Sequence, residues 1–356
     1  MFTLPYSSSI NHIFRSYTHF IMNLYAASHI NPQGPGDARP TALQIVQDES
    51  LIGKLAGKVI VLTGSASGIG LETARALSAT SATLFLTARD IQKAKTSLDG
   101  ILEPDRVTLV EMDSTSFASI RTAAEVILEK SKHRVNILIN NAGVMGIQDL
   151  QLTEDGHEIT FATNHLSHFL LFQLLKPALL LSSSGDFHSR VVNVSSSSHR
   201  ICDLPDSDNY DFQKGGYNFG TAYANSKLAN IYMANEIDRR YGQQGLHATS
   251  LHPGPIDTNI NRHLGREWVA QVMGNEKVRK VLKSAEQGAA TTVIAAVGKE
   301  WEGKGGKYLE NCSEAERGKD DYQPFGNGWV KQTYHPENEG RLWRDSLKIV
   351  GVEDDI

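Results

Sequence analysis

The sequence predicts an α/β protein, a doubly wound parallel sheet in a single domain, and three observations predict it. Apolar runs near residues 58–62, 83–87, 107–112, 135–139, 190–194, 246–251 and 307–311 alternate with stretches of helical character. A glycine cluster, Thr63-Gly64-Ser65-Ala66-Ser67-Gly68-Ile69-Gly70, lies where the first run gives way to the helical spacing of Leu71, Ala74 and Leu77. At 356 residues the chain has core enough for one large α/β domain and little left over for a second.

Residues 1–50 read as an N-terminal extension and 51–350 as the domain. Residues 1–36 hold no acidic side chain and a single arginine, Arg15, and their apolar stretches are too short for a membrane span or a signal core. The Pro/Gly-rich stretch 31–40 reads as a linker, so the extension is expected to be poorly ordered. A start at Met22 would leave 1–21 a leader without structural role.

In the glycine cluster, the small residues let backbone approach a pyrophosphate, and the following helix offers free N–H groups and the positive end of its dipole. That reading puts Gly64, Ser67, Gly68, Ile69 and Gly70 at a dinucleotide. The second apolar run ends in Ala88-Arg89-Asp90. An acidic side chain at such a tip hydrogen-bonds ribose hydroxyls, whereas an arginine pairs with a 2′-phosphate. Arg89 therefore points to NADP, and Asp90 beside it leaves NAD open.

Asp113 ends the third run, Asn140-Asn141-Ala142-Gly143 follows the fourth, and Ser195-Ser196 ends the fifth. Between the last two, Leu166–Leu181 is strongly apolar, interrupted by His168, Gln173 and Lys176 and broken by Pro177. It reads as a core helix or as the buried face of a homodimer. His165, His168 and His199 have no carboxylate or cysteine at ligand spacing on the same helix, so no metal is expected.

Tyr223 and Lys227 stand one turn apart in a stretch whose Leu228, Ile231 and Met233 keep helical register. A phenol with a pKa near ~10 shuttles protons poorly at neutral pH unless its anion is stabilised, and the Lys227 charge supplies that. A second copy of the spacing, Tyr210 to Lys214, sits among Asp203, Asp206, Asp208, Asp211, Gly215 and Gly216 and reads as loop.

This ordered set resembles the short-chain dehydrogenase/reductase family: a Thr-Gly-x-x-x-Gly-x-Gly turn, Asn-Asn-Ala-Gly, a serine, then Tyr-x-x-x-Lys. Within it, Thr163-Asn164-His165-Leu-Ser-His168-Phe-Leu and Ala222-Tyr223-Ala-Asn-Ser-Lys227-Leu-Ala-Asn230 are most similar to retinol-dehydrogenase-type reductases, and the likeness spans roughly 55–350. The resemblance implies a Rossmann-type fold and a nicotinamide oxidoreductase. It implies Tyr223 as proton donor and acceptor, Lys227 on the nicotinamide ribose, and Asn164 holding a water. It implies Ser196 on the substrate oxygen, the register being set by Asn-x-x-Ser from Asn193. It also implies cofactor contacts from Asn141, Ala142, Gly143, Asp113, Tyr223, Lys227 and the segment His252–Thr258 through Pro253, Ile256 and Thr258.

In that family the stretch matching residues 259–284 covers the substrate. Here it carries Ile260, Leu264, Trp268, Val269, Val272, Met273, Val278, Val281 and Leu282, interspersed with Arg262, His263, Arg266, Lys277, Arg279, Lys280 and Lys283. One face would close an apolar pocket while the cations stay in water; a helix packed on the domain or on a subunit partner is the alternative. The expected substrate is a lipophilic alcohol or ketone of polycyclic, terpenoid or polyketide type, as in secondary metabolism. A carbon–carbon double-bond reductase and a cofactor-sensing scaffold on the same fold stay open.

A formal charge of −5 with no lysine/arginine run argues against a nucleic-acid partner. Two cysteines, Cys202 and Cys312, give no disulfide framework, so a reducing compartment is expected and the localisation reads as cytoplasmic.

Overall fold

The computed structural model describes residues 25–354, apart from the side chains of Arg266, Trp268, Gln271 and Met273. Its strands are β1 (Val59–Thr63), β2 (Thr83–Ala88), β3 (Val107–Glu111), β4 (Ile137–Asn140), β5 (Ser189–Val194), β6 (Leu246–His252) and β7 (Lys307–Glu310). They run parallel in the order β3-β2-β1-β4-β5-β6-β7, and a two-residue β8 (Ser313–Glu314) adds antiparallel to β7. Each parallel strand matches an apolar run of the sequence; β8 was not anticipated, being too short to carry an alternating pattern. Every residue of β1, β4 and β5 is buried, as expected for a parallel sheet covered on both faces.

The helices are α1 (Ala42–Asp48), α2 (Gly68–Ser78), α3 (Ile91–Ser97), α4 (Phe117–Lys130), α5 (Ile159–Phe161), α6 (Ser167–Ser182), α7 (Phe219–Tyr241), α8 (Arg266–Gly274), α9 (Glu276–Val281), α10 (Ala285–Gly288), α11 (Ala290–Val297) and α12 (Pro336–Val350). A π-helical turn, Ala162–Leu166, joins α5 to α6. On one face of the sheet α4, α6, α7 and α12 share a core; on the other α1, α2 and α11 do. Strand order reverses between β1 and β4, and a crevice opens there beyond the strands' carboxyl ends. Among the described residues no helix is long and apolar enough to cross a membrane.

Two sequence expectations are corrected here. Pro177 does not end its helix: α6 runs to Ser182, because Phe172, Leu175, Ala178 and Leu179 are enclosed in the core and their packing outweighs a proline cost of roughly 3 kcal/mol. This chain's own α7 and α12 bury that face, with Trp343 edge-on to Phe169 at 5.0 Å, so the run is a core helix.

The extension over 1–50 was expected to be poorly ordered, yet from Tyr25 onward it is packed. Ala42, Ile45 and Val46 form an apolar stripe on α1 that is buried against α2 and α11. Tyr25 is 2% exposed and donates from its hydroxyl to Asp48 at 2.8 Å. Arg39 donates to the carbonyls of Gly34, Val281 and Leu282 and pairs with Asp37, so the Pro/Gly stretch is anchored by one buried guanidinium. Residues 1–24, with the Met22 start, lie outside the described residues.

The packing of α1 sets a test. Ile45 is fully buried, so Ile45→Ala is expected to cost about 2–5 kcal/mol in urea unfolding. A loss below about 0.5 kcal/mol, the range of ordinary surface substitutions, would mean that the segment does not belong to the core.

Candidate active site

The crevice between β1 and β4 is built around one hydroxyl. Thr63 Oγ1, at the end of β1, accepts from the backbone N–H of Asn141 and of Ala142, both at 2.9 Å. It also lies 2.9 Å from His168 Nε2, whose other ring nitrogen is 2.9 Å from the Asn164 carbonyl. Burial pushes His168 down to about 3, so the ring is neutral: Nδ1 donates to Asn164 and Nε2 accepts the Thr63 proton. The Asn141 side chain returns a bond to the Thr63 carbonyl at 2.9 Å, and the β4 tip is locked beside the glycine turn.

The glycines fit that closeness. Gly64 has φ +71°, and a Cβ there would come within 2.8 Å of Ala142 Cα. A Cβ on Gly70 would run into the Gly64 carbonyl oxygen, so the turn can close only without side chains. The open cleft of about 560 Å³ beyond is lined by Gly64, Ser67, Gly68, Ile69, Gly70, Arg89, Asp113, Asn141, Ala142, Gly143, Tyr223, Lys227, Pro253 and Thr258. Fourteen of the fifteen expected cofactor contacts thus share one wall.

Ile256 is the exception. Its side chain packs over Gly288 and its backbone pairs with Lys283, which turns it behind the cleft. Asp90 is likewise outside the lining: its carboxylate caps α3 by accepting from Lys93 N at 2.9 Å. Arg89 at the strand tip and Lys93 in α3 remain in the lining as cations, and Asp113 turns one oxygen to the backbone and hydroxyl of Thr115.

Tyr223 and Lys227, on consecutive turns of α7, bring the phenol to the inner end of the cleft, with Lys227 Nζ 5.5 Å from the Tyr223 ring centre. Asn218 caps this helix, accepting from Thr221 N at 2.9 Å, which fixes where its first turn begins. Burial pushes the phenol up to about 12, and a hydrogen bond with Ser196 pulls the other way. Burial also pushes the Lys227 ammonium down to about 8; it donates to the Val194 carbonyl at 3.0 Å.

The serine run resolves by neighbours. Ser195 Oγ is used up on the Lys227 carbonyl at 2.6 Å, whereas Ser196 Oγ hydrogen-bonds with the phenol and meets the hydroxyl and backbone N–H of Ser198. Asn164 lies in the π turn, donates to Ser226 Oγ at 2.9 Å and brackets Val144 through its N–H and carbonyl. A Cβ on Gly143 would be 3.2 Å from Asn164 Oδ1 and 3.5 Å from Lys227 Nζ, so all three meet at one point.

The other tyrosine–lysine pair is divided. Tyr210 donates to Asp345 at 2.7 Å and stacks on Phe161, while Lys214 pairs with Asp208. The remaining histidines are packed as well: His165 meets Ser346 at 2.9 Å, and His199 bridges the Ser196 carbonyl and Thr333. Among the described residues no group of three or more acidic, histidine or cysteine side chains is placed to hold a metal.

The segment 259–284 crosses the cleft mouth. A Cβ on Gly146 would come 2.6 Å from Leu264 Cδ2, and Gln148 donates to the His263 carbonyl at 3.2 Å. One of its cations is not in water as expected. Lys283 is 3% exposed, donating to the Pro253 carbonyl and Asn311, whereas Arg262 lines the cleft and stays exposed. The amphipathic reading fails there because α9 ends at Val281 and helical spacing no longer applies. The Trp268 and Met273 side chains, counted toward the apolar face, lie outside the described residues.

The family model of the short chain dehydrogenases matches residues 58–268. The chain belongs to that family. It is 47% identical over 334 residues to the short-chain dehydrogenase/reductase prx1 of Penicillium rubens, covering 93% of this chain and 96% of that protein. It is 42% identical over 343 residues to the oxidoreductase calI of Penicillium decumbens, covering 93% and 99%. Among solved structures, a short chain dehydrogenase from Burkholderia cenocepacia, in complex with NADP, is 27% identical with a TM-score of 0.57 over 72% of this chain and 96% of that one.

Within this short-chain dehydrogenase/reductase site, the buried Lys227 has a measurable cost. Its pKa falls from 10.5 unfolded to about 8 folded, so the unfolded chain holds more protons between those values and stability rises with pH across that window. Below about pH 8 the full penalty, about 3 kcal/mol, is present. Lys227→Met is therefore expected to be more stable than wild type by about 1–3 kcal/mol at neutral pH, the lost bond to Val194 offsetting part of the gain. That margin should shrink toward pH 10 in urea titrations. A variant that is less stable at neutral pH would show that the hydrogen bond outweighs the burial cost.

Proposed function

We propose that this enzyme uses NADP(H) to interconvert a carbonyl and an alcohol on a lipophilic small molecule, with Tyr223 as the proton donor and acceptor. The observation that carries this reading is the Tyr223 phenol, buried at the inner end of the cleft with the Lys227 ammonium one turn away and the Ser196 hydroxyl beside it. When bound, the nicotinamide supplies or accepts the hydride.

Every other part falls to the chain. The Ser196 hydroxyl, beside the phenol and in contact with Ser198, donates to the substrate oxygen and keeps it at the phenol. Burial keeps the proton on Tyr223 at neutral pH, so the phenol is present as a donor, and the Lys227 charge stabilises the phenolate left behind. Asn164, fixed by Val144 and Ser226, holds the floor beneath the ammonium. Arg89 at the β2 tip, with Asp90 withdrawn into a cap, favours a phosphorylated ribose, and the NADP bound by the Burkholderia relative supports the same choice. Ile260 in the cleft lining and Leu264 against Gly146 put apolar surface at the mouth, which favours a lipophilic substrate.

Tyr223→Phe is expected to lower turnover at least ~10²-fold with NADPH binding retained, since only the transferable proton is removed. Tyr210→Phe, which loses its bond to Asp345, should unfold at lower urea yet turn over like wild type. Equal turnover losses in both variants would sink the assignment of Tyr223.

For the cofactor, Arg89→Ala should weaken NADPH about 10- to 100-fold and leave NADH unchanged, the loss of one charge-assisted bond. A wild type that binds both cofactors equally would refute the choice of NADP. Across ketones of increasing apolar size, NADPH oxidation is expected to favour the larger members. A preference for the smallest and most polar would overturn the substrate class.

A further inference from the structure

Three cations from three different elements line the adenosine end of the cleft: Arg89 at the tip of β2, Lys93 in α3, and Arg262 in the 3₁₀ turn Asn259–His263 that begins the substrate-covering segment. Asp113 is the acidic residue in that lining, and its Oδ1 is taken by Thr115. Among the described residues, neither arginine nor Lys93 has a carboxylate partner, and Arg262 makes one hydrogen bond, from Nη1 to the Asn259 carbonyl at 3.0 Å. Its remaining donors are free. Burial and the facing charge of Arg89 both push the Arg262 guanidinium below its usual range, which places the two within electrostatic reach of each other. Like charges gathered in a cleft without a carboxylate between them are stabilised by an anion.

We infer that Arg262 is a second cation for the phosphate on the adenosine ribose, opposite Arg89, so that this phosphate fastens the substrate-covering segment. The inference rests on the NADP(H) reading and extends it from cofactor choice to closure of the site. The mechanical link is short. Arg262 is followed by His263, whose carbonyl accepts from Gln148, and by Leu264, which packs on Gly146. It is preceded by Thr258, whose methyl would lie 3.3 Å from a Cβ on Gly68 of the glycine turn. A guanidinium drawn to the phosphate therefore holds the roof by its first turn. The cofactor lacking that phosphate has no such grip.

The test uses the full-length protein with NADPH, NADH and 2′,5′-ADP, a fragment that carries the phosphate and no nicotinamide. Arg262→Ala should weaken NADPH and 2′,5′-ADP about tenfold to a hundredfold in fluorescence or calorimetric titrations and leave NADH unchanged. In parallel, a lysine-specific protease reads the roof at the exposed Lys277 and Lys280. NADPH and 2′,5′-ADP should slow that cleavage in the wild type, NADH should not, and the protection should vanish in Arg262→Ala. Equal weakening of NADPH and NADH would overturn the inference by placing Arg262 on a part common to both. Unchanged NADPH affinity in Arg262→Ala, with Arg89→Ala still impaired, would overturn it while the NADP reading stands. A wild type indifferent to the phosphate would overturn both.

Discussion

The site depends on the Thr63 hydroxyl. It stands at the end of β1 and takes two backbone N–H groups from the β4 tip, while its own proton goes to a histidine of α6. Each partner is itself committed: the histidine to the Asn164 carbonyl, the Asn141 amide to the Thr63 carbonyl. Three elements that leave the sheet in different directions are thereby fixed at one point in a buried, low-dielectric setting, where an unmade bond is costly. The glycine turn, Asn164 and the floor under Lys227 all take their positions from that knot.

What the knot supports is electrostatically unfavourable, and the proposed function gives a reason for keeping it. A phenol and an ammonium buried together are each pushed toward neutrality, the phenol up and the ammonium down. The fold does not compensate with a carboxylate; it gives Lys227 a backbone carbonyl and gives Tyr223 a serine hydroxyl. In the proposed reaction those are weak partners that would be exchanged for a substrate oxygen and a ribose. A salt bridge at Lys227 would cancel the charge that a phenolate needs in that reaction.

The sheet was legible because each parallel strand is a continuous apolar run, and the site because its residues fall in a fixed order at strand ends and on one helix turn. Tyr223 and Tyr210 share a spacing, but only Tyr223 lies in a helical register, and the structure divides Tyr210 from Lys214. What escaped has a common cause: its determinants are remote in sequence. The stripe of Ala42, Ile45 and Val46 is short, and its partner α11 lies some 250 residues away, so a Pro/Gly stretch before it dominated the reading. Asp90 is ambiguous as a letter and unambiguous as a helix cap. Lys283 follows the end of α9, where a pattern of helical faces has no meaning.

These remote contacts also explain how the roof over the cleft can be firm at its ends. At the far end, Arg39 holds the carbonyls of Val281 and Leu282, and Gln287 binds the backbone of Gly36 and Asp37, so the N-terminal segment clamps the chain as it leaves α9. Just beyond, Lys283 is buried against the Pro253 carbonyl, tying the roof to the turn that follows β6. At the near end Thr258 leans on the glycine turn and Leu264 on Gly146. The helices between these anchors, α8 and α9, carry exposed charge and touch the body little, so the roof is one span between two fixed points. A short span pinned at both ends needs only one added contact to lose its freedom, because most of its ordering entropy has been removed in advance. Residues 34–39 therefore help to hold the far end of that span, although they lie outside the segment that the family model covers.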